Sequence, residues 1–430
     1  MLKIRFPPEW GVTPVPIESK TLRFIDYLVL WSSLGVGLLV FLAGSLLHPS
    51  LSMNEVLAVS LIGSIIGSVL LASAGVIGSR YGVPTMVSLR AVLGVKGSYF
   101  PTCLNIIQLI GWTSFEFIIM GKAAASIFGR FLGELTESML ILVFALFCSL
   151  LALGGPVAVI RQWLEKIAIW LIYGSTIWIT IQVFSKPEAL INFLKPGGGG
   201  LAWPLALDLV IAMPISWWPL ISDFNRFSIR DKDAFIGTAL GYTIANTWFY
   251  FLGAAIIAFT GITDIVSSIS ILFLGTLALI LILVDETDNA FADIYSAAVS
   301  FQNIFPKVKQ RKLILIIAGV SVFIALTTPL TRYEYFLLMI GALFTPLLGV
   351  LFSEFFIVKK GKYKIEEFYD KAEKLNMKAV SSWIFGILIY FVLVNFYPWV
   401  GASLPSFFIA AIFNYVFSRI NVGRGKVEGP

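Results

Sequence analysis

The sequence predicts an all-α polytopic membrane protein of twelve transmembrane helices, and three observations carry that class. The chain is 58% hydrophobic and only 13% charged. It contains at least ten apolar runs near the roughly 20 residues that span a bilayer. Several of them, such as 201–220 with Asp208 set aside and 380–400, are apolar nearly all round, whereas helices of a soluble protein would alternate apolar and polar faces.

The spans centre near Gly37, Gly67, Gly111, Phe144, Tyr173, Pro214, Phe249, Ile280, Gly319, Gly341, Ile389 and Ala411. With the N-terminus in the cytoplasm, 26 of the 31 Lys and Arg residues fall in inside segments. The positive-inside rule then places both termini on the cytoplasmic side of the cell membrane. The net charge of +6 is therefore a topology signal and not a footprint for nucleic acid. No cleavable signal precedes the first span; residues 1–23 read as a polar, proline-containing cytoplasmic tail. Cys103 and Cys148 both lie in apolar segments, and two cysteines make no disulfide framework.

Short connections mean one integral domain. The run Gly197–Gly200 is an outside linker that separates spans one to five (24–196) from spans six to ten (197–358). Five is odd, so a second five-span unit inserts upside down, which is the arithmetic of an inverted repeat with ligands bound at the midplane. Residues 359–379 form a polar cytoplasmic connector with mixed charge, 380–420 hold the last two spans, and 421–430 form a cytoplasmic tail. The first span of each unit is weakened: Ser32, Ser33, Gly35 and Gly37 in span one, and Pro214, Ser216 and Pro219 around Trp217 and Trp218 in span six. Freed backbone groups survive in lipid only where they line a cavity or find new partners, so the matched breaks point to a binding site. Simple kinking or close helix packing is the alternative for each break alone.

Span eight carries Asp285, Glu286, Asp288, Asn289 and Asp293 within an arc of about 160° at ~100° per residue. Such acids cost ~2.5–3.5 kcal/mol each near the bilayer centre. Arrival of the helix at the cytoplasm would explain them, but residues 294–304 continue for nearly three further turns, which places the acids near mid-membrane. A cation offsets that charge. The expected cage combines span-one backbone near Ser32, Ser33 and Val36 with Asp285, Asp288 and Asn289, and it holds Na+ or a proton. On span three, Trp112 and Glu116 stand four residues apart on one face, an indole to stack on a flat ring and a carboxylate to accept its N–H groups. Pro214, Ser216 and Trp217, with Asp293 from the acidic face, complete the expected substrate site; one of Trp217 and Trp218 must face elsewhere. Core packing is the competing reading for Trp112. An ionised Glu116 accepts only, which favours an amino-bearing edge, and Glu116→Gln is then expected to weaken aminopyrimidine binding at least tenfold, or about 1.4 kcal/mol.

Further residues carry a resemblance: Pro14-Val15-Pro16, Gly78 with Tyr81-Gly82-Val83-Pro84, Arg90, Gly94, Gly97, Gly111-Trp112, Ser222 through Phe227, and Asp288-Asn289-Ala290. In that order they resemble the nucleobase:cation symporter-1 family, particularly its cytosine and hydroxymethylpyrimidine transporters, from about Pro14 to the last span. The resemblance implies a twelve-helix transporter with the leucine-transporter type of five-plus-five inverted repeat plus two C-terminal helices, and alternating access. It also implies that Trp112 stacks on the substrate, that Glu116 contacts it, and that span six contributes near Pro214 to Trp217. The chain departs from the family where a Ser/Thr pair of span eight holds sodium, since Asp288 and Asn289 align there, and where Pro214 replaces an aromatic residue of some relatives. The expected function is cation-coupled import of cytosine or hydroxymethylpyrimidine, with no cofactor beyond the coupling ion and a small heterocycle and the bilayer as partners. A purine, allantoin or amino-acid symporter of the same fold is the alternative. An intramembrane prenyl- or glycosyl-transferase, with magnesium held by Asp285 to Asp293, is the distant one.

Overall fold

The computed structural model describes residues 9–133, 136–185, 195–328, 333–369 and 372–420. The expected C-terminal tail and the first eight residues of the N-terminal tail lie outside the described residues. Every described segment of length is helical. Among the described residues nine helices have the length and apolar character to cross a membrane: Met53–Tyr81, Val95–Gly129, Thr136–Gly154, Pro156–Phe184, Trp203–Asn225, Asp231–Thr260, Gln310–Thr327, Tyr333–Val358 and Met377–Phe396. Phe24–Ser33 and Leu38–Ser45 form a tenth span bent by 59° at its break.

Two more helices occupy the remaining predicted places. Gly275–Ile304 is long enough but carries the acids, and Ser403–Arg419 is apolar but has 17 residues. Eleven of the twelve predicted centres fall within helices and the first, Gly37, falls in the break of span one. In the 30-residue helix of span eight, Asp288 and Asn289 stand at the middle, and almost every residue from Asp285 to Asn303 is buried. The helix therefore does not emerge into solvent at the acids.

Spans one, two, six and seven pack as one group, and spans three, four, eight and nine as another. Each group is made of pairs five spans apart, the pairing that a five-plus-five repeat requires. Within the first group backbones touch directly. A Cβ on Gly241 of span seven would stand 2.6 Å from the carbonyl oxygen of Leu28 in span one, so only glycine permits that approach. Spans eleven and twelve pack on span ten at the outside.

Asp208, the one acid in the first half of span six, accepts the N–H groups of Ala402 (2.6 Å) and Ser403 (2.9 Å) and so caps the start of span twelve. The 359–379 connector is tethered more firmly than its polar sequence suggests. Phe368 is buried, Tyr369 Oη donates to Val12 O (2.6 Å), and Val95 and Lys96 N–H donate to Glu373 and Lys374 carbonyls at 2.8 Å. Replacing Asp208 by Ala leaves two buried N–H groups without a carboxylate. The expected cost is about 2 kcal/mol, read as a lower midpoint of thermal unfolding in detergent, with Asp208→Asn intermediate.

Candidate functional site

The break in span one organises the site. Leu34, Gly35 and Val36 close the first half with tight turns, and Gly37 then takes φ +146°, a conformation only glycine adopts without strain. The break frees the carbonyl of Val36 and the N–H of Leu38. Span eight satisfies both: Asn289 Nδ2 donates to Val36 O (2.9 Å), and Leu38 N–H donates to Glu286 Oε2 (2.9 Å). Three residues apart, Glu286 and Asn289 share a helical face. The signs match, since a donor meets the carbonyl end of one half-helix and a carboxylate meets the amide end of the other.

Beside this seam Ser33 Oγ lies 3.0 Å from Asp285 Oδ1 and closer still to Asp288 Oδ2. A hydroxyl has one proton, so it donates to one carboxyl only. The second contact requires a proton on the other acid or a cation between them. Asp285 and Asp288 are fully buried, and Asp285 Oδ2 and Asp288 Oδ1 have no donor facing them. Ser32 Oγ turns back to its own helix and donates to Val29 O (3.2 Å). Among the described residues no group of three or more His, Cys, Asp or Glu side chains has the arrangement of a metal site.

The residues expected to bind substrate, Pro214 apart, meet in a small central cavity lined by Val36, Gly37, Trp112, Glu116, Met213, Ser216, Trp217, Glu286, Asn289 and Asp293, among others. No basic side chain lines it. Trp112 is held edge-on by Tyr333 (5.8 Å) and Phe336 (5.3 Å) of span ten, and its Nε1 has no partner. Trp217 packs edge-on against Trp31 of span one (6.1 Å). Trp218 points away and donates from Nε1 to Phe344 O (3.1 Å). Pro214 does not line the cavity; its ring faces span two, where Gly67 leaves room for it.

Glu116 and Glu286 face the same small cavity from spans three and eight. Glu286 has a backbone donor at 2.9 Å, whereas Glu116 Oε2 is buried without a partner. Sequence reasoning placed Glu286 on the acidic face without a role; its spacing from Asn289 opposite a glycine break was the available signal. It also missed Asn105 and Gln108 of span three, whose amides donate to Pro219 O (3.3 Å) and Ser216 O (3.1 Å) where span six breaks. Both amides lie on the helical face that carries Trp112.

Residues 14–415 match the family model described as permease for cytosine/purines, uracil, thiamine, allantoin. The chain belongs to this family. Among curated members it is 24% identical to the allantoin permease of Bacillus subtilis, over 94% of this chain and 91% of that protein. It is 25% identical to the cytosine permease of Escherichia coli (strain K12), over 74% of each. The fold is similar to that of Mhp1, a nucleobase-cation-symport-1 family transporter in a closed conformation with bromovinylhydantoin bound, with a TM-score of 0.84, 16% identity, and 96% and 95% of the two chains covered. A Na+-coupled sialic acid symporter gives a TM-score of 0.67 at 14% identity, with 96% and 91% covered. As a member of a permease family the chain is a multi-pass membrane transporter and not an enzyme.

Gly37→Ala places a Cβ 2.9 Å from Glu286 Oε2 in a backbone conformation that alanine resists. A loss of about 1–3 kcal/mol of stability is expected, read as a lower unfolding midpoint in detergent. Gly35→Ala meets only Ala245 Cβ at 3.0 Å and the Trp31 carbonyl at 3.1 Å, without a positive φ, and is expected to cost less.

Proposed function

We propose that the chain imports a nucleobase or related aminopyrimidine, of the cytosine or hydroxymethylpyrimidine type, by cation symport with alternating access. Both termini are cytoplasmic in this reading, as the distribution of Lys and Arg indicates. The observation that carries it is a buried cavity with tryptophans on two sides, three carboxyl side chains in its wall and no basic one. Tryptophan faces suit a flat ring. Acidic walls suit N–H donors and repel anions, which argues against amino acids with their carboxylate.

Glu286 is held as a carboxylate by the Leu38 amide, and in this reading Glu116, which has no such donor, is the neutral acid of the pair. A protonated Glu116 offers an O–H donor and a carbonyl acceptor side by side, the complement of a ring nitrogen next to an amino group. The cation then belongs at Ser33, Asp285 and Asp288, where two acids crowd one hydroxyl. Na+ and H+ both fit hard oxygen ligands of this kind. The central cavity has only about 20 Å³ open to the centre of a water-sized sphere, close to one water molecule, so a heterocycle enters only as the walls part. A larger cavity of about 420 Å³, lined by Trp10, Arg161, Phe227, Tyr295 and others beside the N-terminal segment, is the exit on the cytoplasmic side. The second reading is a ureide carrier, favoured by the similarity to an allantoin permease.

Uptake of labelled cytosine, hydroxymethylpyrimidine and allantoin into proteoliposomes, with sodium and proton gradients imposed independently, tests the reading; the absence of accumulation under either gradient refutes it. Binding to purified protein tests the site. Glu116→Leu removes both hydrogen bonds and is expected to weaken cytosine at least tenfold, about 1.4 kcal/mol. Glu116→Gln keeps a donor and an acceptor and is now expected to bind within about threefold of wild type. Asp288→Asn is expected to lower gradient-driven accumulation at least tenfold.

A further inference from the structure

The two oxygens of Glu286 have different surroundings. Oε2 accepts the Leu38 N–H at 2.9 Å and caps the second half of span one. Oε1 is buried, takes no N–H or O–H from any amide or hydroxyl, and belongs to the wall of the cavity that Glu116 also lines. The side chain is fully buried and cannot swing away without uncapping the half-helix. Its surroundings in the cavity wall are Glu116 from span three, Asp293 and Asn289 from its own helix, and the backbone at Gly37. No basic group is among them. Oε1 is thus an acceptor fixed at the ring's edge by a bond made for another purpose.

We propose that Glu286 sets substrate specificity: its Oε1 accepts one N–H of an exocyclic amino group on the bound ring while Oε2 keeps span one capped. The inference rests on the reading that the cavity takes a heterocycle, and it narrows the class to rings bearing N–H2, amino or ureido. An amino group has two hydrogens: with the single Glu116 O–H given to the ring nitrogen beside it, one amino hydrogen goes to the Glu116 carbonyl and the other to Glu286 Oε1. A ring with an oxo group at that place sets acceptor against acceptor and leaves both unpaired. Sites built to receive an N–H reject analogues lacking it by ~10⁴ or more at best, so a preference of cytosine over uracil of at least about a hundredfold is a moderate expectation. Allantoin over hydantoin tests the same edge, since only the former carries a ureido N–H2.

The experiment is calorimetric titration of the purified full-length protein in detergent with cytosine, uracil, allantoin and hydantoin, in wild type and Glu286→Gln. In the variant the amide carbonyl must stay on Leu38 N–H, which turns the –NH2 toward the cavity and replaces an acceptor with a donor. Binding of the N–H2-bearing rings is expected to fall at least tenfold and that of uracil to rise, so that the cytosine preference shrinks to threefold or inverts. A role confined to capping the half-helix lowers all four alike and leaves the ratios unchanged, which overturns the inference. Equal binding of cytosine and uracil by wild type, together with equal binding of allantoin and hydantoin, also overturns it while leaving the transport reading intact. Wild-type protein that binds none of the four overturns this inference, while accumulation of hydroxymethylpyrimidine in proteoliposomes decides the transport reading separately. Should Glu286→Gln fail to fold, Glu286→Asp keeps the carboxylate and is expected to retain the wild-type order of preference at weaker affinity; a reversed order overturns the proposal.

Discussion

A break in a membrane helix exposes backbone donors and acceptors to a medium that satisfies none of them, and each unsatisfied group costs several kcal/mol. Span one meets this constraint with side chains from span eight: Asn289 for the Val36 carbonyl and Glu286 for the Leu38 amide. Much of the site follows from that arrangement. The turn needs Gly37 because its φ excludes other residues, and a Cβ there would press on Glu286 itself. The acids need the middle of span eight because the break lies at mid-depth. Span one belongs to one packed group of helices and span eight to the other, so these capping bonds also cross the seam between the groups. Under the proposed alternating access, a substrate or ion that engages Glu286 or Asp288 acts on the joint itself.

The same arrangement leaves the interior short of positive charge. Glu116, Asp285, Glu286, Asp288 and Asp293 are all at least nine-tenths buried. A helix N-terminus contributes up to ~2 kcal/mol in favour of an anion, against ~2.5–3.5 kcal/mol for each charge at depth, so the cap on Glu286 covers part of one acid. On the proposed reading a proton on Glu116 covers another. Asp285 and Asp288 are left with one hydroxyl between them. The nearby buried cation is spent elsewhere: Arg226 donates to Gly11 O (2.7 Å) and Tyr295 Oη (2.9 Å), beside the N-terminal segment. The deficit at the centre is what the proposed cation and donor-rich ring would satisfy.

How far the sequence reached depended on whether the determining interaction was local. Hydropathy located the spans, and helix length located the acids, because both properties belong to one segment. The weakness at Gly35 and Gly37 was legible for the same reason. Which side chains cap the break was not, since that depends on span eight lying across span one. The angle of ~100° between Trp217 and Trp218 showed that one must turn away, yet the choice was made by the Phe344 carbonyl on span ten, 126 residues distant. Pro214 looked like a site residue because it weakens span six, and its ring is directed instead by Gly67 on span two. Asp208 had no reading at all without the start of span twelve, 194 residues away.

The residues that carry the family resemblance and those that line the cavity lie largely in different places, and this bears on what similarity conveys. Thr85 N–H donates to Asp223 Oδ1 (3.0 Å), Ser222 N–H donates to Thr85 Oγ1 (2.8 Å), Gly78 makes room for Ser222, and Val15 N–H donates to Gly82 O (2.9 Å). With Arg226 on Gly11, these motifs knit spans two and six to the N-terminal segment at one end of the molecule. They specify how the helices meet, a requirement shared by any carrier of this architecture whatever its cargo. Among cavity residues only Trp112 and Asn289 belong to the recognisable motifs; Glu116, Glu286 and Asp293, the groups with hydrogen-bonding capacity for a ring edge, lie outside them. Identity near 25% to permeases for different heterocycles is what such a division produces. On the proposed reading, scaffold contacts persist across cargoes, and the choice of cargo rests on a few carboxyl groups, one of which, Glu286, is fixed by the break it also serves.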